Sequence, residues 1–221
     1  MLRVSETFYS VQGEGPTAGT PAIFVRLQGC NLHCSWCDSR KVYETGEEMH
    51  VPHLLDSFKK EGWLERLISR RAALVITGGE PLLQQEGIAE LLQAIAGFPY
   101  VEIETNGTIL PTPVLSVAVE RFNVSPKVGG VVHADVMTHH VDGKAAHFKF
   151  VIETDEELAD IESRYIIPFK IPEARVTLMP KAATRAELLA RSPFVVEVCK
   201  ERGYHFSTRL QVVIWDKSTG V

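Results

Sequence analysis

Ala22-Ile23-Phe24-Val25-Arg26-Leu27, followed by Gly29-Cys30-Asn31-Leu32-His33-Cys34-Ser35-Trp36-Cys37, reads as a buried strand that empties into a loop carrying thiols. The first six residues are mostly apolar, as a strand covered on both faces requires. The cysteines follow at the strand's carboxyl end with the spacing C-x3-C-x2-C. A structural zinc site is closed by four ligands, often as two pairs, and the one extra donor in this loop is His33. Three thiolates instead suit a four-iron cluster that leaves one iron open, since reactive metal centres keep a free coordination position. A zinc-stabilised binding module built on Cys30, Cys34, Cys37 and His33 stays as the alternative.

Outward from this loop the chain repeats a strand-then-helix rhythm. Apolar runs over 22–27, 73–77, 100–104, 122–124, 147–152, 175–179 and 210–215 read as buried strands of a parallel sheet. Between several of them lie segments of helical period at 54–69, 84–96, 155–164 and 184–202. Thr184, followed three residues later by Glu187, is a capping box for the last helix. The pattern predicts an α/β fold. A complete eight-unit barrel takes about 250 residues, so 221 residues point to a partial βα barrel of about six units. The whole chain, 1–221, is expected to be a single domain, with the cluster loop at 30–37 and a long irregular loop at 129–146. His133, His139 and His140 in that loop lack a metal-ligand spacing and read as part of a solvated or substrate-covering segment.

Bulk properties narrow the function classes. Lys and Arg total 23 against 28 Asp and Glu, a formal charge of −5, which gives no electrostatic footprint for nucleic acid. No apolar run reaches the ~18 residues of a membrane span, and the N-terminus lacks an apolar leader. With four cysteines, three of them in one loop, a disulfide framework is not expected. Cytoplasmic location follows as the expectation, and Cys199 reads as a structural thiol.

Polar residues recur at the carboxyl ends of the other strands: Thr77-Gly78-Gly79-Glu80-Pro81, Glu104-Thr105-Asn106-Gly107-Thr108, Ser125-Pro126-Lys127 and Met179-Pro180-Lys181. In βα folds that end is the functional face, so their joint placement argues for one shared site. The C-x3-C-x2-C loop with Gly78-Gly79-Glu80-Pro81 resembles the radical S-adenosylmethionine (SAM) superfamily. The resemblance implies a 4Fe-4S cluster on Cys30, Cys34 and Cys37, whose open iron is chelated by SAM. It further implies reductive cleavage of SAM to a 5′-deoxyadenosyl radical. Gly78, Gly79, Glu80, Ser125, Pro126, Lys127 and Met179 would then contact SAM. Carbonyls and a carboxylate suit its ammonium group.

The N-terminal stretch Thr7-Phe8-Tyr9-Ser10-Val11-Gln12-Gly13-Glu14-Gly15, with Cys37-Asp38-Ser39 and Ser125-Pro126-Lys127, is similar to the 7-carboxy-7-deazaguanine synthase family of radical SAM enzymes. That family contracts the ring of 6-carboxy-5,6,7,8-tetrahydropterin with loss of ammonia, in queuosine and 7-deazapurine biosynthesis. The resemblance implies that Val11, Gln12, Gly13, Arg26 and Thr77 hold the pterin, with Arg26 on its carboxylate. It also implies Mg2+ on Ser39, an electron donor such as flavodoxin or ferredoxin, and a homodimer. A glycyl-radical activating enzyme shares the cysteine loop and is the second enzyme reading.

Overall fold

The computed structural model describes residues 1–34, 37, 40–97, 99–143 and 145–218. Its strands are β1 (Leu2–Val11), β2 (Pro21–Leu27), β3 (Glu47–Met49), β4 (Ala73–Gly78), β5 (Val101–Thr105), β6 (Arg121–Val124), β7 (Ala146–Ile152), β8 (Val176–Pro180) and β9 (His205–Phe206). They form one sheet in the order β3-β1-β2-β4-β5-β6-β7-β8-β9. From β2 to β9 every pairing is parallel, while β1 and β3 add an antiparallel flank. The consecutive parallel strands and their intervening helices make the partial βα barrel.

Alternate strand residues part into two populations, because side chains of a strand point to opposite faces in turn. Ile23, Val25, Leu27, Leu74, Ile76, Val101, Ile103, Phe122, Val124, Phe148, Phe150, Val176 and Leu178 join the main core under the helices. The intervening positions face the barrel lumen. Near β2 and β4 this inner face is apolar, with Ala22, Phe24, Ala73 and Val75 packed against Phe8 and Tyr100. Across β5 to β8 it carries buried polar residues: Glu102, Asn123, His147, Lys149 and Thr177.

The helices are α1 (Arg40–Tyr43), α2 (Val51–Lys60), α3 (Trp63–Ile68), α4 (Gln85–Ala94), α5 (Pro113–Ala118), α6 (Ala134–Asp142), α7 (Asp155–Ile161), α8 (Ile167–Phe169), α9 (Arg185–Arg202) and α10 (Leu210–Trp215). Three expectations from the sequence are corrected. The helix expected over 54–69 is two helices, broken at Gly62, whose φ of 71° is left-handed. The loop expected over 129–146 contains α6, which buries Val136, Met137 and His140 on one face. His140 is therefore a core residue, its ring tilted against that of Phe122 with centroids 5.2 Å apart. The strand expected over 210–215 is α10, because the sheet edge is taken by β9 and of this run only Val212 is buried. The first part of the N-terminal stretch that carries the family resemblance lies in the long strand β1. The capping box at Thr184 is present as expected. Among the described residues no helix is long and apolar enough to cross a membrane.

Candidate active site

The carboxyl ends of β2, β4, β5 and β6 are tied together by short polar contacts. Cys30 begins the loop after β2, and its thiol accepts from Leu32 N at 3.4 Å. Burial pushes that thiol up, the Leu32 amide works against this, and Glu80, Cys34 and Cys37 push it up further. Cys34 and Cys37 are half-buried like Cys30, and Cys37 donates to Tyr43 Oη at 3.8 Å. His33, the extra donor of the zinc reading, is exposed. Ser39 and Asp38, the expected Mg2+ region, lie outside the described residues.

The turn after β4 packs directly on the root of this loop. Gly79 N donates to the Leu27 carbonyl and Glu80 N to the Gly29 carbonyl, at 3.3 and 2.9 Å. A Cβ on Gly79 would collide with the Gly29 carbonyl and the Cys30 Cβ, and one on Gly78 with the Leu27 backbone. Glycine is required here because two backbones meet. The Glu80 carboxylate, fully buried, takes hydrogen bonds from Leu82 N at 2.9 Å, Asn106 N at 2.7 Å and Thr105 Oγ1 at 2.9 and 3.0 Å. Its side chain thus fastens the β4 turn to the end of β5. Asn106 in turn donates to Asn31 Oδ1 in the cysteine loop at 2.9 Å. At the end of β6, Ser125 N bonds to the Thr105 carbonyl and Lys127 Nζ donates to Ser125 Oγ at 3.1 Å. Met179 is buried on the lumen face of β8.

Deeper in the lumen, Thr77 and Gln12 converge on Glu104, which the sequence reading placed in a polar strand-end motif without giving it a role of its own. Thr77 Oγ1 donates to Glu104 Oε2 at 2.8 Å, and Gln12 Nε2 to Glu104 Oε1 at 3.3 Å. Gln12 Nε2 also reaches Glu102 Oε2 at 3.4 Å, and its Oε1 accepts from Glu14 N. Glu102 Oε2 takes a second bond from Asn123. Its Oε1 is buried without a hydrogen-bond partner, 3.9 Å from Arg121. The signal for these acids was present: charged residues at alternate positions of Val101-Glu102-Ile103-Glu104 make sense only facing a polar lumen. Val11 ends β1 opposite Pro21, and Gly13 is buried beside it. Arg26 stands next to Thr77 in the β2/β4 register. Its Nε donates to Glu6 at 2.7 Å, and its Nη groups carry no partner among the described residues.

The profile of the Radical SAM superfamily matches residues 24–143. The chain belongs to that superfamily. It is 34% identical over 229 residues to the 7-carboxy-7-deazaguanine synthase of Pyrobaculum aerophilum, covering 99% of this chain and 97% of that protein. It is 35% identical over 240 residues to the synthase of the same name from Halobacterium salinarum, covering 97% and 91%. Within the radical SAM superfamily the chain therefore belongs to the 7-carboxy-7-deazaguanine synthase family, and its activity is the family's radical SAM ring contraction. The crystal structure of QueE from Escherichia coli shares the fold, with TM-score 0.70 at 22% identity over 95% of this chain and 94% of that one. Neither the activase nor the zinc module is favoured by these likenesses.

SAM and an iron-sulfur cluster are the superfamily's cofactors, and the donor set present suits them, although among the described residues no three metal-ligating side chains are gathered into a formed metal site. Three half-buried thiols share one loop, and Cys34 and Cys37 oppose ionisation of Cys30. Such a group is relieved by a cationic metal centre that takes all three as thiolates.

Proposed function

We propose that the lumen binds 6-carboxy-5,6,7,8-tetrahydropterin between Arg26 and Glu104, and that the rim above it holds SAM against a 4Fe-4S cluster on Cys30, Cys34 and Cys37. When bound, cluster and SAM together supply a radical able to remove a hydrogen atom from the substrate. The protein's own part is to bind, orient and keep water away.

The observation that supports this reading most is the placement of opposite recognition chemistry on one inner face. Arg26 offers the Nη edge of a guanidinium, which can meet a carboxylate bidentately. Glu104, held on both oxygens by Thr77 and Gln12, offers a fixed carboxylate to the N–H edge of a 2-aminopyrimidinone ring. Val11 and Gly13 line the approach. Gly78, Gly79, Ser125, Pro126, Lys127 and Met179 are assigned to SAM, with Glu80 holding their turn in place. Ser39 is assigned to Mg2+, a cation that takes hydroxyl, carboxylate and water oxygens.

A flavodoxin or ferredoxin is the proposed electron donor. The thiolate cluster ligands call for a reducing, cytoplasmic setting. A homodimer formed through the exposed edge strand β9 is the proposed assembly.

The test is anaerobic incubation of the reconstituted enzyme with SAM, a reductant and the carboxytetrahydropterin, followed by mass spectrometry. 7-Carboxy-7-deazaguanine is expected. Release of 5′-deoxyadenosine with no deazaguanine would overturn the substrate assignment.

A further inference from the structure

In the open sheet β1 and β9 are never paired, for β1 lies beside β2 and β3 and β9 beside β8 alone. The turn that follows β1 nevertheless crosses to the residues that follow β9. Leu210 N donates to the Gly13 carbonyl and Gly15 N to Ser207 Oγ, each at 2.8 Å. Between these two contacts sits Glu14. Its Oε2 accepts from Lys149 Nζ of β7 at 2.5 Å, and its Oε1 from Arg209 Nε at 3.1 Å and Gln211 Nε2 at 2.8 Å. Arg209 is itself anchored by donating to the Ala182 carbonyl at 2.6 Å. All three charged side chains are at least four-fifths buried. The approach is close enough that a Cβ on Gly13 would collide with the Gln211 side chain.

Resting on the substrate reading given above, we propose that Glu14 is a positioning residue that clasps the seam of the partial barrel and so fixes the turn of Gln12 and Gly13 against the pterin. One carboxylate joins the loop after β1, the middle of β7 and the residues around the start of α10, which no strand pairing connects. Its neighbour Gln12 accepts from Glu14 N and donates to Glu104. A shift of Glu14 is therefore transmitted to the lumen carboxylate through two hydrogen bonds. Lys149 and Arg209 make the join charge-assisted on both carboxylate oxygens. An isolated buried acid would hold nothing.

Glu14→Gln removes the charge and Glu14→Asp shortens the reach, so both are expected to open the clasp. In the reconstituted enzyme the KM for the pterin should rise about tenfold or more while kcat and the KM for SAM stay within about threefold, the pattern of lost ground-state positioning. Gln211→Ala, which leaves the ion pairs in place, should give the same pattern at a few-fold size and covers the case in which the Glu14 variants do not fold. Hydrogen exchange gives a readout free of turnover, since the Leu210 amide should be protected in the wild type and lose protection in Glu14→Gln. An unchanged pterin KM in a folded Glu14→Gln enzyme, or a protected Leu210 amide in that variant, overturns the clasp. So does wild-type behaviour of Gln211→Ala alongside Glu14 variants that merely fail to fold. A wild-type enzyme that makes no deazaguanine would overturn the substrate reading instead, and the exchange measurement would still decide the clasp.

Discussion

Glu6 and Arg26 face one another across β1 and β2 because a bulge between Val4 and Glu6 shifts the register by one residue. Val4 opposes Leu27, and the next paired residue, Glu6, opposes Arg26. A one-residue slip turns every later side chain to the other face, so the bulge is what brings Glu6 to the lumen side, and Phe8 after it. The Nε bond of 2.7 Å and the Phe8 ring 5.9 Å from the guanidinium carbon hold the Arg26 fork with its Nη edge free for a ligand. Arg26→Ala is expected to raise the pterin KM by about tenfold to hundredfold, and Arg26→Lys not to restore it, since an ammonium lacks the planar fork. Glu6→Gln should give a smaller rise of the same kind. Steady-state kinetics with varied pterin decide this, and an unchanged KM in Arg26→Ala would remove the carboxylate assignment.

A second expectation concerns Glu80. Amide replacement in Glu80→Gln sets an NH2 group against the N–H donors of Leu82 and Asn106, which now share one carbonyl oxygen. The turn of Gly78 and Gly79 should shift, weakening SAM binding by about tenfold without preventing cluster assembly. Iron content and the change in the reduced cluster's electron paramagnetic resonance on SAM titration measure the two separately. Loss of iron rather than of SAM affinity would assign Glu80 to the cluster loop instead.

Arg175 provides a stability test remote from the site. It donates to the carbonyls of Ala146, Val141, His140 and Gly143 at 2.6 to 2.9 Å, closing the carboxyl end of α6 onto the start of β7. Charge also favours this, because the helix carboxyl terminus carries partial negative charge. Arg175→Met should cost about 2 kcal/mol, which lowers Tm by roughly 4–8 °C for a chain of this size. Thermal unfolding checks it, and 5′-deoxyadenosine release per folded molecule should not change.

Acid should weaken the fold through two buried imidazoles. Burial, then His139 and Arg175, pull His140 from 6.5 to about 4. Burial, then Arg121, His205 and Arg175, pull His147 from 6.5 to about 4. Both are neutral when folded, so between these values the unfolded chain binds more protons and stability rises with pH. Their contribution is complete above about pH 6.5 and is lost as pH falls towards 4. Urea midpoints at pH 7 and 5 should differ less in His140→Gln than in the wild type. An equal difference would show that His140 does not contribute.

The parallel strands, the capping box and the gathering of motifs at strand ends were legible because each rests on local pattern: apolar alternation, Thr184 with Glu187, turns rich in glycine and proline. What escaped the sequence reading depends on partners far along the chain. Val212, Val213 and Ile214 read as a strand by composition, but the edge that would pair them is occupied by His205 and Phe206. The histidines of α6 masked a helix whose buried face, Val136, Met137 and His140, follows ordinary helical spacing. The cysteine loop and the Arg26 strand were found from their own residues. Glu14, Glu104 and Lys149 acquire meaning only when the barrel brings four strands and two loops around one lumen.

The separation of apolar and polar side chains onto opposite faces of β5 to β8 bears on how such an enzyme can change over time. Substitutions at Glu102, Asn123 or Thr177 would alter what the cavity accepts while the helix-packed layer of Ile103, Phe122, Phe148 and Leu178 stays intact. The architecture thereby lets selectivity drift on one side of a strand with foldability preserved on the other. Homologues with new ring chemistries would be sought first among variants of those inward positions.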